Sequence, residues 1–321
     1  MNLEKKEDTE TPKSGGSGGG APLTRENKIM AAKNAVPFLQ DDDSKVLEFW
    51  QIWSESIPES DELAAGTAIN YHVSTSANRN KLTWRTSGPQ NVLIQKMVDF
   101  FWNVGAPESE IDRLNDIGAL INPAKIGSWI DMSAKGGMDG GWFFPVEIPV
   151  AMAVEAADPG EPTKAVSEWT EKHSIQVAQS VGRDMGAAPP RQTEIRLNLP
   201  GNGFNEQLEV GLDAFSAFGF PELPESALSV LKNQNTPSLS LSIITSSEGF
   251  VRLGLLCPKP SKQTIKDLCD SSYADVEEFE NALSSSGPAL VEYQFLKEGF
   301  GYGVYKEGFD IVFHYDVDSD A

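Results

Sequence analysis

The sequence predicts an α+β protein built on a closed antiparallel β-barrel of about ten strands, with a solvent-filled lumen and a surrounding ring of α-helices. One observation behind this prediction is the order of segments, because pairs of strand-like segments alternate with helical segments along the chain. Hairpins separated by helices exclude a doubly wound sheet, in which single strands alternate with helices. A second observation is that several strands have one polar and one apolar face, which suits a polar lumen beneath an apolar outer surface.

The clearest strand pair is predicted at Pro237–Cys257, where two strands meet at a tight turn that ends at Gly249. In the first strand, serines alternate with apolar residues: Ser238, Ser240 and Ser242 against Leu239, Leu241 and Ile243. In the second strand, Arg252 shares a face with Gly254, so little bulk lies beside the arginine. The hairpin therefore separates a polar from an apolar environment.

The stretch Arg191–Leu199 repeats this alternation and places Glu194 and Arg196 on one polar face. Two interpretations are open at this point. The polar face is either an ordinary solvated sheet surface or the wall of a lumen that holds a ligand. In the second case Arg196 and Arg252 are cations inside a cavity, and they require an anion.

The other elements follow the same plan in chain order. Residues 1–28 are predicted to be a disordered tail rich in charge and glycine, and residues 29–318 a single barrel domain. Strands are predicted at Gly66–Ser74, Lys81–Thr86, Ile126–Met132, Gly141–Ile148, Ser174–Val181, Ala289–Phe295, Tyr302–Tyr305 and Phe309–Val317. Helices are predicted at Val92–Val104, Glu108–Leu120, Thr163–Lys172, Phe204–Phe218, Pro224–Lys232, Ser261–Leu268 and Ser272–Leu283.

Composition narrows the choice of partners. With 26 Lys and Arg against 47 Asp and Glu, the formal net charge is -21, which disfavours nucleic acid and anionic membranes as partners. An anionic small molecule must then be captured by a local cationic pocket. The charged amino terminus, the lack of any apolar stretch of ~18 residues and the two cysteines predict a cytoplasmic protein without a membrane span.

Four segments together resemble a known family. They are KLTWRTSG, IGSWIDMSAKGGMDGGWFFP, QVAQSVGRD followed by RQTEIRLNL, and SLSLSIITSSEGFVRLGLLCPKP. In this order they are similar to the ABBA-type, or PT-barrel, soluble aromatic prenyltransferases. Within that family the pattern is similar to the cyanobacterial enzymes of hapalindole and ambiguine indole-alkaloid biosynthesis.

The resemblance implies a function in secondary metabolism. An allylic group, dimethylallyl or geranyl, is transferred from its diphosphate to an electron-rich aromatic acceptor, an indole, by electrophilic aromatic substitution. It implies diphosphate contacts from Arg85, Arg196 and Arg252, with Lys306 near the place where the family has a lysine in its last strand. Expected contacts to the acceptor come from Gln176, Trp142, Ser240, Tyr302 and Tyr315.

Several roles stay open at this stage. Glu194 is either a general base toward the acceptor or the ion-pair partner of Arg196. Five aromatic residues are candidates to shield a carbocation: Trp84, Trp142, Tyr293, Tyr302 and Tyr315. Trp84 and Trp142 also suit packing beneath a helix. Mg²⁺ is a candidate cofactor, because it would supply positive charge where the family has a lysine in its last strand. Its candidate ligands are Asp131, Asp139 and Asp310.

A rival function is a non-catalytic barrel that binds an anionic amphipathic molecule. His72, His173 and His314 lack the spacing of metal ligands and are predicted to be structural. The protein is expected to be a monomer or a homodimer.

Overall fold

A computed structural model describes residues 24–33, 50–76, 79–103, 105–133, 138–185, 190–234, 236, 238–271, 290–296 and 309–316. Its strands are β1 (Ala68–Ser76), β2 (Arg79–Pro89), β3 (Lys125–Ser133), β4 (Met138–Phe144), β5 (Ile148–Pro149), β6 (Val177–Asp184), β7 (Thr193–Asn198), β8 (Ser240–Ser246), β9 (Gly249–Pro258), β10 (Leu290–Leu296) and β11 (Phe309–Asp316). Its helices are α1 (Arg25–Lys33), α2 (Asp61–Ala65), α3 (Gln90–Asn103), α4 (Glu108–Ile121), α5 (Val150–Ala153), α6 (Glu161–Lys172), α7 (Phe204–Ala217), α8 (Glu225–Lys232) and α9 (Lys262–Ser271). Residues 50–55 are also helical.

The strands close into a barrel. The sheet runs in the order β4-β3-β2-β1-β11-β10-β9-β8-β7-β6-β5, and an additional β4–β6 pairing joins its two sides into a ring of ten strands. Neighbouring strands in the ring are antiparallel. The short strand β5 pairs with β6 outside the ring. The predicted closed antiparallel barrel with surrounding helices is confirmed.

Register places the polar faces of the strands on one side of the wall. Arg196 lies opposite Ser242, which lies opposite Gly254, which in turn lies opposite Gln294. The alternate positions carry the apolar residues, and these pack against the helices. Thus Leu199 and Leu255 lie against Gly211 of α7, where a β-carbon would stand 3.2 Å from each of them. The apolar side therefore faces outward to the helices, and the polar side faces the lumen.

An outer layer of aromatic packing follows from this arrangement. Trp84 of β2 is fully buried and stacks on Trp53 at 5.5 Å between ring centroids. Trp142 of β4 is also fully buried and packs on Phe144 at 4.7 Å, beneath α4, whose Gly118 lies near Phe144. Both tryptophans fill the layer between the strands and the helices.

Ion pairs hold α4 on the outside of β6. The Arg183 guanidinium is 2% exposed and donates from Nε to Glu110 at 3.0 Å and from Nη2 to Asp158 at 3.0 Å. Arg191 approaches the same Glu110 carboxylate at 3.4 Å. Burial opposes ionisation of Glu110, but the hydrogen bond and charge of Arg183 outweigh it and lower the pKa of this carboxyl below its usual value.

Some boundaries differ from the sequence prediction. Helix α1 begins at Arg25, inside the stretch predicted to be tail, because the Lys28 side chain is buried and donates to the carbonyl of Thr67 at 2.7 Å. The strand predicted at Gly141–Ile148 divides into β4 and β5. Residues 1–23, the predicted helix Ser272–Leu283 and the predicted strand Tyr302–Tyr305 lie outside the described residues. None of the described helices is long and apolar enough to cross a membrane.

Candidate active site in the barrel lumen

The centre of the lumen holds Arg196 between two carboxylates. Its Nε donates to Glu194 Oε1 at 2.6 Å, and its Nη2 lies 3.8 Å from Glu292 Oε2. Ser242 also donates to Glu194 Oε1, at 2.8 Å. Burial opposes ionisation of Glu194, but Arg196 and Arg85 lower the pKa of this carboxyl below its usual value. Arg196 is therefore held by one carboxylate of its own strand and one of β10, and Ser242 of β8 holds the first of these carboxylates.

Glu292 continues the network toward two histidines. Its Oε2 lies 3.2 Å from His314 Nε2, and His314 Nδ1 lies 2.9 Å from His72 Nε2. The Glu292 side chain is 2% exposed. Burial opposes its ionisation, but the hydrogen bond from His314 and the charge of Arg196 lower the pKa of Glu292 to about 2. Burial lowers the pKa of His314, so a neutral imidazole stands beside an ionised carboxylate.

An aromatic wall lies on β3 and β4, facing Arg85. The Arg85 guanidinium carbon stands 4.0 Å from the centroid of the Phe143 ring and 5.7 Å from that of Trp129. Burial, followed by the charge of Arg196, lowers the pKa of Arg85 to about 10. This arginine remains a cation at neutral pH, and the Phe143 ring presents its face to that cation.

Glycines allow these rings to lie flat on the wall. A β-carbon at Gly141 would collide with the Trp129 ring, and one at Gly127 would collide with the Phe143 ring. Gly182 supports the other side of Phe143, where a β-carbon would stand 2.9 Å from the Phe143 Cβ. Because the rings lie over glycines, they extend less far into the lumen than they would over larger side chains.

Two further polar residues lie on the lumen side. Arg252 is half-buried and donates from Nη1 to the Gln294 side-chain oxygen. Its Nε is buried and makes no hydrogen bond with any residue that the structure describes. Asp131 of β3 accepts a hydrogen bond from Thr83 of β2. Within the described part of the chain, no three His, Cys, Asp or Glu side chains converge as metal ligands.

Several solved structures share this architecture. PriB, a prenyltransferase solved in its apo form, matches with a TM-score of 0.60 and 11% identity, covering 92% of this chain and 96% of that one. The 6-dimethylallyltryptophan synthase of Micromonospora olivasterospora, solved with DMASPP and Trp, matches with a TM-score of 0.58 and 10% identity, covering 90% and 96%. NotF, solved with brevianamide F and DMSPP, matches with a TM-score of 0.60 and 9% identity, covering 93% and 96%. This chain has the PT-barrel fold.

Sequence comparison adds one relative. The PH domain-containing protein DDB_G0274775 of Dictyostelium discoideum is 62% identical over 301 residues, which cover 92% of this chain. The chain spans 66% of the length of that relative. No model of a protein family matches the chain.

The PT barrel brings some of the sequence-predicted site residues together. Arg85, Arg196 and Glu194 lie in one network, in which Asp131 also acts on Arg85. Ser240 is the first residue of β8, and its hydroxyl donates to Asn198, the last residue of β7, at 3.1 Å. The helices α7 and α8 connect these two strands at this end of the barrel. Gln176 is exposed just before β6 and lines a surface groove of about 270 Å³ together with Asn198.

Three predicted aromatic residues do not line the lumen. Trp142 and Trp84 pack in the outer layer, so packing beneath helices is correct for both. Tyr293 is fully buried and lies opposite Leu255 on β9, on the same outward side. Neither the expected acceptor contact of Trp142 nor carbocation shielding by Trp84 or Tyr293 is therefore retained, because side chains alternate across a strand and these three positions alternate with lumen positions.

The remaining predicted residues are placed only in part. Asp139 lies directly opposite Asp131 in register, Asp310 lies opposite Gln294, and Tyr315 lies opposite Tyr71, while their side chains are outside the described residues. Lys306 and Tyr302 also lie outside the described residues.

Sequence reasoning missed four lumen groups: Glu292, Phe143, Trp129 and the His72–His314 pair. Alternation in IGSWIDMS could have placed Trp129 on the same face as Asp131. For the histidines, no local signal was available, because the two rings come from strands at opposite ends of the chain.

Proposed function

We propose that this protein is an aromatic prenyltransferase that transfers a dimethylallyl or geranyl group from its diphosphate to an electron-rich aromatic acceptor, an indole. The observation that carries the proposal is the lumen of the PT barrel, where Arg85, Arg196 and Arg252 face inward and Arg85 lies beside an aromatic wall. The solved structures with the same fold include prenyltransferases crystallised with tryptophan and dimethylallyl diphosphate analogues, and this supports the same class of substrates.

The reaction requires separate stabilisation of a leaving anion and of a cation. When the allylic C–O bond ionises, its electron pair leaves with the diphosphate, and the arginines stabilise the growing negative charge. Arg252 is suited to this role because its buried Nε has no partner among the described residues. The allylic cation is stabilised by the ring faces of Phe143 and Trp129, which already accommodate a guanidinium.

The contacts of Glu194 favour one of its two predicted roles. Both Arg196 and Ser242 donate to the same carboxylate oxygen, Oε1. A carboxylate held in this way positions Arg196, and its lowered pKa makes it a weak base. We therefore assign Glu194 as the residue that positions Arg196.

Mg²⁺ remains part of the proposal. This ion binds through one or two carboxylates together with substrate phosphates. Asp131 lies on the lumen side of β3, and Asp139 lies directly opposite it in register on β4. Asp310, which lies opposite Gln294 in register, is the third candidate ligand. When bound, Mg²⁺ would supply positive charge to the leaving diphosphate. A cytoplasmic monomer or homodimer likewise remains part of the proposal.

A second function is favoured by the charge balance at the centre of the lumen. The cations Arg85 and Arg196 stand beside the anions Glu194 and Glu292, so these four groups carry no net charge when all are ionised. Arg252 is a further cation on the lumen side, and its buried Nε has no partner among the described residues. It also suits a barrel that binds an amphipathic carboxylate without breaking any bond. The product assay described below distinguishes this function from transfer.

The test is to incubate the protein with dimethylallyl or geranyl diphosphate, a panel of indoles and phenols, and either Mg²⁺ or EDTA. Mass spectrometry is expected to detect an acceptor that is heavier by one prenyl group. The variant Arg252→Met is expected to lower kcat by about 100-fold or more, because one preorganised contact to a developing anion contributes roughly 3 kcal/mol.

The matched control is Lys164→Met, which removes an exposed cation that pairs with Glu168 on the outside of the protein. This variant is expected to retain full activity. Detection of bound but unaltered acceptor by native mass spectrometry, with no prenylated product from any combination, would favour the binding barrel instead.

A further inference from the structure

A polar groove lies at the end of the barrel where α7 and α8 connect β7 to β8, and the transfer mechanism leaves it unused. Its volume is about 270 Å³, and it runs beside the start of β6 and the end of β7. Its polar lining, among the described residues, consists of Glu147, Ser174, Gln176, Gln179 and Asn198. Complete pockets for small molecules measure ~300–1,000 Å³, so this groove holds one part of a ligand.

The groove continues into the lumen along β7. Asn198 shares the lumen face of this strand with Arg196, which lies roughly 7 Å away along the strand. Ser240, on the lumen face of β8, donates to Asn198 at 3.1 Å. Exposure rises in this direction, since 16% of the Arg196 side chain is exposed and Asn198 is an exposed residue. A ligand in the lumen therefore reaches solvent through the groove.

A β-bulge in β6 supplies one of the amides in the groove. Ala178 is fully buried on the outward side of the strand, whereas Ser180 lies opposite Arg196 on the lumen side. The register shifts between these two residues, so Gln179 is the extra residue of the bulge. Bulges next to binding sites re-aim side chains, and the half-buried Gln179 lines the groove.

The lining offers amides and no cation. Gln176, Gln179 and Asn198 each carry an N–H donor and an oxygen acceptor. The side-chain amides of Gln176 and Gln179 make no hydrogen bond with any residue that the structure describes. None of the described lining residues is a lysine, arginine or histidine, and Glu147 is the charged one among them.

These groups discriminate between an amide and a carboxylate. A carboxylate in the groove would meet no cation from the described lining and would lie near the Glu147 carboxylate, in a protein with a formal net charge of -21. A secondary amide is uncharged and matches the lining in both directions, because its N–H donates to a side-chain oxygen and its carbonyl accepts from a side-chain NH₂.

We propose that the groove binds an uncharged amide group of the acceptor, so that the preferred acceptor is an indole with an amide substituent and not with a free carboxylate. This inference rests on the proposed transferase function and names the acceptor class of that site. The indole ring lies in the lumen, and the amide extends past Asn198 into the groove.

The first test measures binding without any reaction. N-acetyl-L-tryptophanamide and N-acetyl-L-tryptophan differ in one group, which is an amide in the first probe and a carboxylate in the second. Isothermal titration calorimetry is done with inorganic pyrophosphate present, so that the lumen arginines are not open to the carboxylate. The amide probe is expected to bind wild-type protein about tenfold more tightly. Equal affinities, or no binding of the amide probe, would overturn the proposal.

The second test removes the amides. Gln179→Leu and Asn198→Leu keep a similar side-chain size and are each expected to weaken binding of the amide probe about fivefold, with little effect on the carboxylate probe. The control is Gln263→Leu in α9, where the amide donates to Asp267 at 2.7 Å on an exposed helix surface. Wild-type affinity for the amide probe in both folded groove variants would contradict the proposal.

The third test adds a cation to the groove. Glu147 is exposed, and Glu147→Lys is expected to strengthen binding of the carboxylate probe by about three- to fivefold. Glu168→Lys makes the same change of charge on the outer surface of α6 and should leave that affinity unchanged. Equal effects of the two variants would show that the substituent does not reach the groove.

The binding tests and the product assay fail separately. If wild type yields no prenylated product but prefers the amide probe, and the groove variants weaken its binding, the transferase function fails and the amide groove stands. If wild type prenylates both probes equally well and both groove variants retain the affinity for the amide probe, the groove proposal is wrong and the transferase function stands.

Discussion

At the scale of single residues, the lumen depends on Gly254, because it has no side chain to compete with Glu292 for space. Gly254 lies opposite Gln294 in register, and the Glu292 carboxylate occupies the space above it. A β-carbon at this position would collide with Glu292 Oε1. The glycine thereby fixes the position of the carboxylate that contacts both Arg196 and His314.

Gly254→Ala is expected to displace Glu292 and to lower the free energy of unfolding by about 1–3 kcal/mol, because the lumen is overpacked at this point. Chemical denaturation monitored by circular dichroism measures the change. The matched control is Gly118→Ala in α4, where the β-carbon finds its nearest neighbour only at 4.0 Å. We expect that control to be neutral or more stable by up to ~1 kcal/mol, since glycine is unfavourable inside a helix. Equal stability of the two variants would contradict this account.

The two buried carboxylates of the lumen, Glu194 and Glu292, differ in how many hydrogen-bond donors reach their Oε1 atoms. Glu194 Oε1 already has two donors, whereas Glu292 Oε1 is buried and has no hydrogen-bond partner among the described residues. A buried carboxylate oxygen without a donor is unfavourable until a ligand supplies one. Glu292 is therefore the more responsive of the two carboxylates to a ligand in the lumen.

At the scale of elements, the helices are attached to the barrel by both apolar and ionic contacts. Helix α4 buries Ile111, Leu114 and Ile117 against the outer layer, and its Glu110 pairs with Arg183 of β6. The carboxylate side chain is only 14% exposed, so solvent screens the pair weakly. The position of α4 on the barrel should therefore depend on the ionisation of Glu110.

The pH dependence has a definite sign. The folded-state pKa of Glu110 is lowered, so the pair stabilises the protein above the unfolded-state pKa of this carboxyl, and the stabilisation is lost as pH falls through the folded value. Between about pH 5 and 3, wild type should lose more free energy of unfolding than Glu110→Gln does. The measurement is urea denaturation at a series of pH values.

Glu168→Gln is the control for this series, because Glu168 pairs with Lys164 on the surface and 68% of its side chain is exposed. Its pH profile should follow that of wild type. If Glu110→Gln also follows wild type, the pair does not hold α4.

At the scale of the whole molecule, closure of the barrel joins distant parts of the chain. Strand β1 pairs with β11, so residues 70–74 bond to residues 312–316. The β4–β6 pairing closes the ring across the intervening segment that contains β5, α5 and α6. A closed ring has no exposed strand edges, whereas an open one presents two.

Removal of residues 309–321 should therefore open the barrel by deleting β11 and exposing the edges of β1 and β10. We expect the truncated chain to lose cooperative thermal unfolding and to associate, which circular dichroism and size-exclusion chromatography can measure. Deletion of residues 318–321 alone leaves β11 intact and should leave both properties unchanged. A monomeric, cooperatively unfolding chain without β11 would show that closure is not required.

Much of the fold could be predicted from the sequence. Alternation of polar and apolar residues depends only on the two-residue period of a strand, so RQTEIRLNL and SLSLSIITS identify both their strands and their polar faces. Helix and strand order then favoured a closed barrel. Arg85, Arg196, Arg252 and Glu194 could be placed on polar faces for the same reason, and the family resemblance implied that these faces line a lumen.

Only the tertiary structure decided which of these groups meet. His72 and His314 are 242 residues apart, and Arg196 reaches Glu292 from β7 to β10, across two intervening strands. Contacts of this kind depend on the register of every strand in between and on the curvature of the closed wall, neither of which a local pattern encodes. The sequence by itself determined paired strands, each with one polar face, and it placed the cations on those faces. The fold determined that carboxylates and a histidine pair lie beside them.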